Sequence, residues 1–446
     1  MKCVVGIDLG STTTKAVLLD PEGGVLGRGI TNSRSNYEVA AAVAREEALT
    51  SARFALLERA VAGDGGAVQE LFAELERAFR LEIYLDHLAA LRQEIEALVA
   101  APWMSADRAA LEPAAAEVLA QVEERAPSLF AAGAERRSDF FRDLAGAAYM
   151  AAAEAVAARR GAPYDRLLAL YDRAILEVET RLLHHTFEEL VERAIDRLRA
   201  AGGDRRPAAL RRRLAPVLAE PIEELAFAGT GYGRQTLPFP KEAIRSEILC
   251  HGRGAHRIFP GTRTVLDIGG QDTKAIQVDA GGVVTAFQMN DRCAAGCGRY
   301  LGYIADELNL GLHELGPLAL KARKTVRVSS TCTVFAGAEL RERLALGQAR
   351  EDILAGLHRA IMLRAMSLLA RSGGIDNELT FTGGVCKNPM ATRILKELVA
   401  ESYGDGITIN VHPDSIYMGA LGAALFARDD LRAGRPRRLP TFAAAA

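Results

Sequence analysis

One short stretch of this chain occurs twice: IDLGSTTTKAVLLD at residues 7–20 returns as LDIGGQDTKAIQVD at residues 266–279. In each copy an apolar run with an Asp leads into a Gly-containing turn, a second apolar run, a Gly-Gly turn and a third run. That order predicts three strands in a meander. The matched positions are Asp8 and Asp267, Gly10 and Gly269, Thr14 and Thr273, Lys15 and Lys274, and Asp20 and Asp279. The repeat therefore predicts two similar domains built on the same hairpin.

The first turn of each copy has the composition of a phosphate-binding turn. Its glycines let the backbone approach a ligand closely, and its N–H groups and hydroxyls can donate hydrogen bonds to phosphate. The Asp before each turn, Asp8 or Asp267, is suited to holding Mg²⁺ through water. A single DxG turn occurs in many hairpins, but two copies in register with strand flanks favour one nucleotide gripped from both sides.

This arrangement resembles the actin/Hsp70/sugar-kinase superfamily, in which two ribonuclease-H-like domains close over ATP. A third element of that superfamily is matched by FTGGVCKN at residues 381–388, whose Gly383-Gly384 pair resembles its adenosine-contacting turn. The resemblance implies an α/β fold with duplicated ribonuclease-H-like domains.

Between the two hairpins, residues 41–220 are rich in Ala, Glu, Arg and Leu and nearly free of strand signals, which predicts a large all-α insertion. The apolar positions from Phe187 to Leu198 follow the spacing of a one-faced amphipathic helix. Six prolines are expected to divide the insertion into several helices: Pro102, Pro113, Pro127, Pro163, Pro207 and Pro216. A metal site could in principle use residues at i, i+4 spacing, but a solvated helical face is the preferred interpretation of His184, His185, Glu188 and Glu189.

The remaining sequence is assigned to two subdomains. Residues 1–40 together with 221–260 are expected to form the first, with a strand at Leu225–Thr230 and a helix at Lys241–His251. Residues 261–446 are expected to form the second. Its C-terminal helix, at 415–428, contains small residues that allow a neighbouring backbone to approach closely.

The overall composition narrows the function classes. The formal net charge of −2 over 446 residues argues against a nucleic acid or an anionic membrane as the main partner. The N-terminus leads directly into a predicted strand without a secretory pattern, and no uninterrupted apolar segment reaches the length of a membrane span. We therefore expect a cytoplasmic protein.

The six cysteines fall into two groups. Cys3, Cys250 and Cys386 lie in or beside apolar segments and are expected to be core residues. Cys293 and Cys332 each stand at or just before a predicted helix N-terminus, where the helix dipole and free N–H groups stabilise a thiolate and favour an anionic iron–sulfur cluster. A cubane cluster needs four cysteine ligands. Cys297 could be a third, but two ligands from each chain of a dimer is the favoured arrangement.

Several motifs resemble one family, the ATP-dependent activators of 2-hydroxyacyl-CoA dehydratases and the ATPase subunits of benzoyl-CoA reductase. The motifs are NDRCAAGCGRYL, SSTCTVFAGAEL, GTGYGRQTL, DIGGQDTKAI, TGGVCKNP and GALGAALFA. In that family one [4Fe–4S] cluster bridges two ATPase chains. The resemblance implies that Cys293 and Cys332 are the cluster ligands. Many activators have Thr where this chain has Cys297, so the role of Cys297 stays open.

The same resemblance implies the residues of the nucleotide site. Gln271 is the candidate for orienting the attacking water, and Asp8 and Asp267 are the candidates for holding hydrated Mg²⁺. The residues implied to bind ATP are Gly10, Ser11, Thr12, Thr13, Lys15, Gly269, Gly270, Asp272, Gly383 and Gly384.

Within the family, the long helical insertion resembles the larger ATPase subunit of benzoyl-CoA reductase, a heterotetramer of anaerobic aromatic degradation. This would make the chain a component of an ATP-dependent, ferredoxin-linked, dearomatizing oxidoreductase. Its implied partners are a second homologous ATPase subunit that shares the cluster, the substrate-reducing subunits, and ferredoxin as the electron donor. The acyl-CoA itself would lie on partner subunits.

The sequence leaves three alternative functions open. The first is the activator of a 2-hydroxyacyl-CoA dehydratase, a homodimer; a neighbouring gene for a shorter copy of the core would argue against it. The second is a sugar or metabolite kinase, and the third an Hsp70-like nucleotide switch whose insertion binds client proteins. The last two predict an iron-free protein, and the motifs around Cys293 and Cys332 argue against both.

Overall fold

The computed structural model describes residues 1–33, 36–62, 66–104, 107–134, 140–179, 185–202, 206–231, 237–291, 298–308, 310–328 and 333–438. Contacts divide the described chain into two compact units. Unit 1 comprises Met1–Ser51 and Ile222–Thr441, and unit 2 comprises Ala52–Pro221.

The first sheet of unit 1 has four strands in the order β3-β2-β1-β4. They are β1 (Lys2–Leu9), β2 (Thr13–Leu19), β3 (Val25–Asn32) and β4 (Glu223–Gly231). The first three form the predicted meander, and β4 joins β1 in parallel after the long insertion. After its first residue β1 is buried throughout, because both faces of the sheet are covered.

The second sheet repeats this plan in the order β7-β6-β5-β8-β9. Its strands are β5 (Thr262–Ile268), β6 (Thr273–Val278), β7 (Val284–Asn290), β8 (Glu378–Thr382) and β9 (Thr408–Asn410). Asp8 lies opposite Lys15 in the first sheet, and Asp267 lies opposite Lys274 in the second. The sequence repeat is thus a structural repeat in the same register. Unit 1 is therefore an α/β fold built from two similar sheets, in agreement with the predicted duplication.

Seven helices follow β3 in the described chain. They are α1 (Tyr37–Val61), α2 (Gly66–Ala100), α3 (Arg108–Leu129), α4 (Phe141–Arg160), α5 (Tyr164–Val178), α6 (Phe187–Gly202) and α7 (Arg206–Leu218). Within unit 2, one apolar core joins α2 to α3, α4 and α5, and a second joins α2 to α6 and α7. The amphipathic pattern at Phe187 therefore marks a core-facing helix.

Two details of unit 2 bear on the sequence interpretation. Pro113 and Pro127 lie inside α3, and Pro216 lies inside α7, so the expectation that these prolines separate helices was wrong. A helix can keep such a residue when tertiary packing compensates the lost N–H.

The residues at i, i+4 spacing before and within α6 have ordinary structural partners. His184 lies outside the described residues, whereas His185 pairs with Asp86, and Glu189 caps the start of α6 by accepting a hydrogen bond from the Thr186 N–H.

The helices of unit 1 cover its two sheets. They are α8 (Glu247–Ile258), α9 (Gly298–Glu307), α10 (Leu312–Ala319), α11 (Thr333–Ala345), α12 (Arg350–Arg371), α13 (Pro389–Tyr403) and α14 (Met418–Arg432). The small residues of α14 pack against β1 and β4 as expected. Cys3, Cys250 and Cys386 are buried, and burial raises the pKa of Cys3 and Cys386 to about 12, as suits core thiols.

The predicted bounds of two helices needed correction. The helix expected at Lys241–His251 starts only at Glu247, because Ile244 is extended and forms a parallel bridge with Gly229 of β4. The C-terminal helix starts at Met418, because Pro413–Tyr417 forms a separate 3₁₀ turn after His412.

Helix α12 is the one candidate for a membrane span among the described residues, by length and composition alone. No such segment was expected from the sequence. In the structure, 67% of the relevant stretch is buried, and most of α12 lies in the hydrophobic core of the second subdomain. Burial of this kind is typical of a core helix.

Candidate functional site

The first hairpin places Asp8 and Lys15 on neighbouring strands at the edge of the site. Asp8 is buried near the end of β1, and Lys15 Nζ lies 3.9 Å from its Oδ2. Gly10, Ser11 and Thr12 form the turn that joins these strands, and Thr13 begins β2. The residues predicted from the first copy are therefore adjacent in space.

The second hairpin builds a buried charge network around Lys274. Its Nζ donates to Asp272 Oδ1 at 2.7 Å and to Asp267 Oδ2 at 3.3 Å, and lies 3.1 Å from Glu247 Oε1. Burial lowers the pKa of this amine, but the three surrounding carboxylates outweigh burial and raise it above its ordinary value. Lys274 is therefore a fixed positive charge inside the site.

Asp267 is held as a carboxylate by its partners. Burial raises its pKa, but the charges of His251 and Lys274 and a hydrogen bond from Thr382 Oγ1 at 2.8 Å outweigh burial and lower it to about 2. Asp267 is thus ionised at any physiological pH, and both of its oxygens have neighbours.

Helix α8 contributes two site residues that the sequence analysis missed. His251 is buried between the two hairpins, with Nδ1 3.2 Å from Asp267 Oδ1 and Nε2 3.9 Å from Asp8 Oδ2. One turn earlier on the same helix face is Glu247. Burial raises the pKa of Glu247, with Asp8 adding to that shift and Lys274 opposing it. The i, i+4 spacing of Glu247 and His251 was the available signal.

The two phosphate-type turns lie against each other. A Cβ added to Gly270 would overlap Thr12 Oγ1 and would lie 3.0 Å from Ser11 Oγ. Gln271 is half-buried in the same second turn, next to buried Asp272. The structure therefore brings residues of both predicted turns together at one place.

The Gly383-Gly384 turn reaches the same place from β8. Gly383 has φ +85°, and an added Cβ would overlap the Ile268 carbonyl oxygen and lie 2.9 Å from Asp267 Oδ1. Only Gly combines that backbone angle with that close approach. After the turn, the Asn388 side chain caps α13 by accepting hydrogen bonds from two of its first N–H groups.

Asn388 is itself held by a buried histidine. His358 Nδ1 lies 2.7 Å from the Leu354 carbonyl oxygen, and its Nε2 lies 2.9 Å from Asn388 Nδ2. These partners fit a neutral ring that donates from Nδ1 and accepts at Nε2. Burial lowers the pKa of His358 to about 4, which favours that neutral form.

The second turn is also tied to α9. The Gly298 N–H donates to the Gly269 carbonyl at 2.9 Å, and the Arg299 N–H donates to the Gly270 carbonyl at 2.8 Å. Cys293 and Cys297 precede this helix and lie outside the described residues, as does Cys332, which directly precedes α11. Helix α11 starts directly after Cys332, as predicted, whereas α9 starts five residues after Cys293, so the placement of Cys293 beside a helix start stays a prediction.

The charges of the site suit a cation–phosphate ligand. Four carboxylates surround two lysines. In addition, Asp8, Glu247 and His251 each place one potential metal-ligand atom so that the three atoms lie within 4.8 Å of one another. Asp8 Oδ1 is buried and has no hydrogen-bond partner among the described residues. Such an excess of carboxylate can hold a divalent cation, and the adjacent Gly and Ser/Thr turns can hold phosphate.

Comparison with known proteins places this geometry in context. The model of the BadF/BadG/BcrA/BcrD ATPase family matches residues 5–427. The (R)-2-hydroxyglutaryl-CoA dehydratase activating ATPase of Acidaminococcus fermentans is 44% identical over 206 residues, which are 46% of this chain and 76% of that protein. One of the benzoyl-CoA reductase subunits of Thauera aromatica is 34% identical over 212 residues, 48% of this chain and 73% of that protein.

A solved structure is also similar. The crystal structure of component A of the Acidaminococcus fermentans (R)-2-hydroxyglutaryl-CoA dehydratase aligns with a TM-score of 0.49 at 24% identity. The alignment covers 97% of this chain and 100% of that chain.

Proposed function

This chain belongs to the BadF/BadG/BcrA/BcrD ATPase family, and from that premise we propose that it couples ATP hydrolysis to electron transfer into an enzyme acting on a CoA thioester. The observation that carries the proposal is the backbone connection from Gly269 and Gly270 of the second turn to the start of α9. That connection would link the proposed nucleotide-binding turn to α9, whose first residue follows Cys293 by five positions in the sequence.

The nucleotide would lie between the two hairpin turns. Gly10, Ser11, Thr12, Thr13 and Lys15 would face its phosphates from one side. The other side would be formed by Gly269, Gly270 and Asp272, with Gly383 and Gly384 near the adenosine. Gln271 is proposed to orient the attacking water, and Asp8 and Asp267 to face the hydrated Mg²⁺.

The donor set supports a bound cation. Asp8 offers a buried oxygen without a partner among the described residues, and neighbouring carboxylates leave the site with excess negative charge. Mg²⁺, when bound, supplies charge neutralisation for the phosphates. The protein groups would do the positioning: the turns would hold the phosphates by their N–H groups, and Lys274 keeps Asp267 ionised and donates a hydrogen bond to Asp272.

Cys293 and Cys332 are the proposed ligands of a [4Fe–4S] cluster shared with a second ATPase chain. Because two thiolates from each chain complete a cubane, the cluster requires a dimer. The start of α11 directly after Cys332 supports the assignment of that residue, since a helix N-terminus stabilises a thiolate, and the assignment of Cys293 rests on the family motif. When bound, the cluster supplies a low-potential one-electron carrier. Reduced ferredoxin is the proposed donor.

Two partner systems are candidates for receiving the electron. The large all-α unit 2 supports the larger ATPase subunit of benzoyl-CoA reductase, with substrate-reducing subunits as the acceptor. The 44% identity to a dehydratase-activating ATPase, against 34% to the benzoyl-CoA reductase chain of Thauera aromatica, supports an activator of a 2-hydroxyacyl-CoA dehydratase. Both place this chain on the ATP-hydrolysing, electron-donating side.

Electron transfer tests the proposal directly. Cys293→Ser and Cys332→Ser should each abolish ATP-dependent reduction of the partner enzyme while nucleotide binding persists. Cys3→Ser, at a core position away from both motifs, is the matched control. Full ATP-driven electron transfer by either motif variant would exclude that residue as a ligand. Comparing turnover with benzoyl-CoA and with 2-hydroxyacyl-CoA partner enzymes separates the two systems.

A further inference from the structure

The two Asp–Lys pairs of the repeat are equivalent in sequence and in register, but they differ in how the carboxylate is satisfied. Asp267 has Thr382 at 2.8 Å and His251 at 3.2 Å from Oδ1, and Lys274 at 3.3 Å from Oδ2. Among the described residues, the cationic or potentially cationic groups nearest to Asp8 are those of Lys15 and His251, each 3.9 Å from Oδ2. Lys274 therefore already neutralises Asp267, whereas the nearest lysine to Asp8 in the described part of the chain is 3.9 Å away.

From this asymmetry we propose that the resident divalent cation binds on the Asp8 side, with Glu247 and His251 of α8 completing its protein ligands, and that Asp267 is not one of them. The inference gives the cation a more exact position within the proposed nucleotide site. It rests on the proposed function only in assuming that the cation neutralises nucleotide phosphates. The cation is thus assigned to Asp8 and two residues of α8, instead of being shared equally by Asp8 and Asp267.

Burial and hydrogen bonding both point to this position. Asp8 is 2% exposed and His251 is 4% exposed. Among the described residues, Asp8 Oδ1 has no hydrogen-bond partner, and the ring nitrogen of His251 that faces Asp8 is Nε2, 3.9 Å from Asp8 Oδ2. An unpaired buried carboxylate oxygen is costly unless a bound ion or water satisfies it.

Helix α14 leaves room for this arrangement. A Cβ added at Gly419, in its first turn, would lie 2.6 Å from Asp8 Oδ2 and 2.9 Å from His251 Nε2. Any side chain here would therefore displace the Asp8 carboxylate or the His251 ring. The absence of a side chain keeps the facing groups of Asp8 and His251 open to each other.

The chemistry of the ligands specifies the class of ion. Two carboxylates with an imidazole make a mixed oxygen and nitrogen set, which suits Mn²⁺ and other first-row divalent ions and is unfavourable for Ca²⁺. Mg²⁺ fits the same place when water stands between it and the ring. The site is thus expected to prefer Mn²⁺ over Ca²⁺.

The test uses Mn²⁺ as the probe on the full chain, with and without ADP. Free Mn²⁺ is measured by electron paramagnetic resonance, and pulsed measurements on bound Mn²⁺ detect coupling to ¹⁴N of an imidazole. Wild type should bind one Mn²⁺ per chain at this site with ¹⁴N coupling. Glu247→Gln and His251→Gln should each weaken Mn²⁺ binding by about tenfold or more, which is the usual effect of losing one ligand or its hydrogen-bonded partner. In addition, His251→Gln should remove the ¹⁴N signal.

Controls keep the result interpretable. Glu242→Gln, an exposed position shortly before α8, should leave the Mn²⁺ affinity unchanged. Circular dichroism of each variant separates lost ligation from lost folding. The proposal is overturned if wild type binds no Mn²⁺ in either condition, if bound Mn²⁺ shows no ¹⁴N coupling, or if folded Glu247→Gln and His251→Gln variants bind Mn²⁺ as wild type does. Cluster content and electron transfer do not enter this test, so its failure leaves the proposed function standing.

Discussion

Lys274 Nζ lies 3.3 Å from Asp267 Oδ2, across neighbouring strands and out of contact with water. A lysine so placed provides an internal counter-ion for the second half of the duplicated site. Its equivalent in the first half, Lys15, is partly exposed and approaches Asp8 only to 3.9 Å. The repeat has therefore kept the residue types while giving the two lysines different roles.

Removing the buried lysine should cost much stability. Lys274→Met leaves the carboxylates of Asp267, Asp272 and Glu247 without their shared cation, and breaking a buried ion pair in this way typically costs about 3–5 kcal/mol. Lys15→Met, the equivalent change in the first hairpin, should cost about 1 kcal/mol or less, because that pair is longer and partly solvated. Urea unfolding followed by circular dichroism measures both; equal losses would contradict the different roles of the two lysines.

The contact between the two turns should be sensitive to one methyl group. Gly270→Ala places a Cβ on Thr12 Oγ1 and forces the turns apart. Overpacking of this kind costs about 1–3 kcal/mol, so we expect the dissociation constant for ATP to rise about tenfold. Gly302→Ala in α9 is the control, because an added Cβ there meets nothing within 4 Å. Isothermal titration with ATP compares the two, and unchanged affinity in Gly270→Ala would show that the turns do not act together.

The hydrogen bond between the second turn and α9 should couple the nucleotide to the cysteine segment. Gly298→Pro removes the N–H that donates to Gly269, while proline is well tolerated at a first helical position. Because one such hydrogen bond is lost, we expect the number of electrons delivered per ATP hydrolysed to fall about threefold to tenfold, while ATP binding is retained.

Gly298→Ala is the matched control for that coupling. It keeps the N–H, and the nearest atom to its added Cβ is the Gly269 oxygen at 3.3 Å, so a slight adjustment accommodates it. Simultaneous measurement of phosphate release and acceptor reduction gives the ratio. A proline variant with the wild-type ratio would show that this hydrogen bond carries no coupling.

His358 should give the protein a defined pH dependence. Its pKa is lowered to about 4 in the folded state by burial, whereas an unfolded histidine titrates near its ordinary value of 6.5. Between these values the unfolded chain binds the additional proton, so the free energy of unfolding should fall as pH drops from about 6.5 to 4, by roughly 3 kcal/mol from this group.

The variant His358→Gln isolates that contribution. It removes the titrating group while keeping a polar side chain beside Asn388, so the stability difference between wild type and variant should shrink as pH falls through this window. Urea midpoints at pH 7 and pH 4.5 provide the comparison. A difference that does not change with pH would show that His358 does not titrate abnormally.

Much of this architecture could be predicted because it is encoded locally. Each hairpin is specified by a short apolar run, an Asp, a Gly-containing turn and a second run, so the register of Asp8 with Lys15 follows from a few neighbouring residues. Gly383 carries its own signal, since its backbone angle and close approach both require Gly. The existence of α9 and α11 likewise follows from adjacent apolar spacing, although α9 starts five residues after Cys293, where the sequence had placed its start.

What could not be predicted depends on contacts distant in sequence. Glu247 and His251 gain their roles only because α8 packs beside both hairpins, a placement that no local pattern reports. The late start of α8 depends on the bridge between Ile244 and Gly229. The burial of Lys274, against a partly exposed Lys15, likewise arises from tertiary packing that the similar local sequence does not reveal.

The central claim is that this ATPase carries a cluster shared between two chains, and iron content tests it most directly. Iron and acid-labile sulfide would be measured on anaerobically purified protein, with and without co-expressed partner chains, alongside ATPase activity. The account predicts about four irons and four sulfides per ATPase dimer, lost in Cys293→Ser and Cys332→Ser and retained in Cys3→Ser. Protein that is free of iron under every condition, yet fully active as an ATPase, would contradict it.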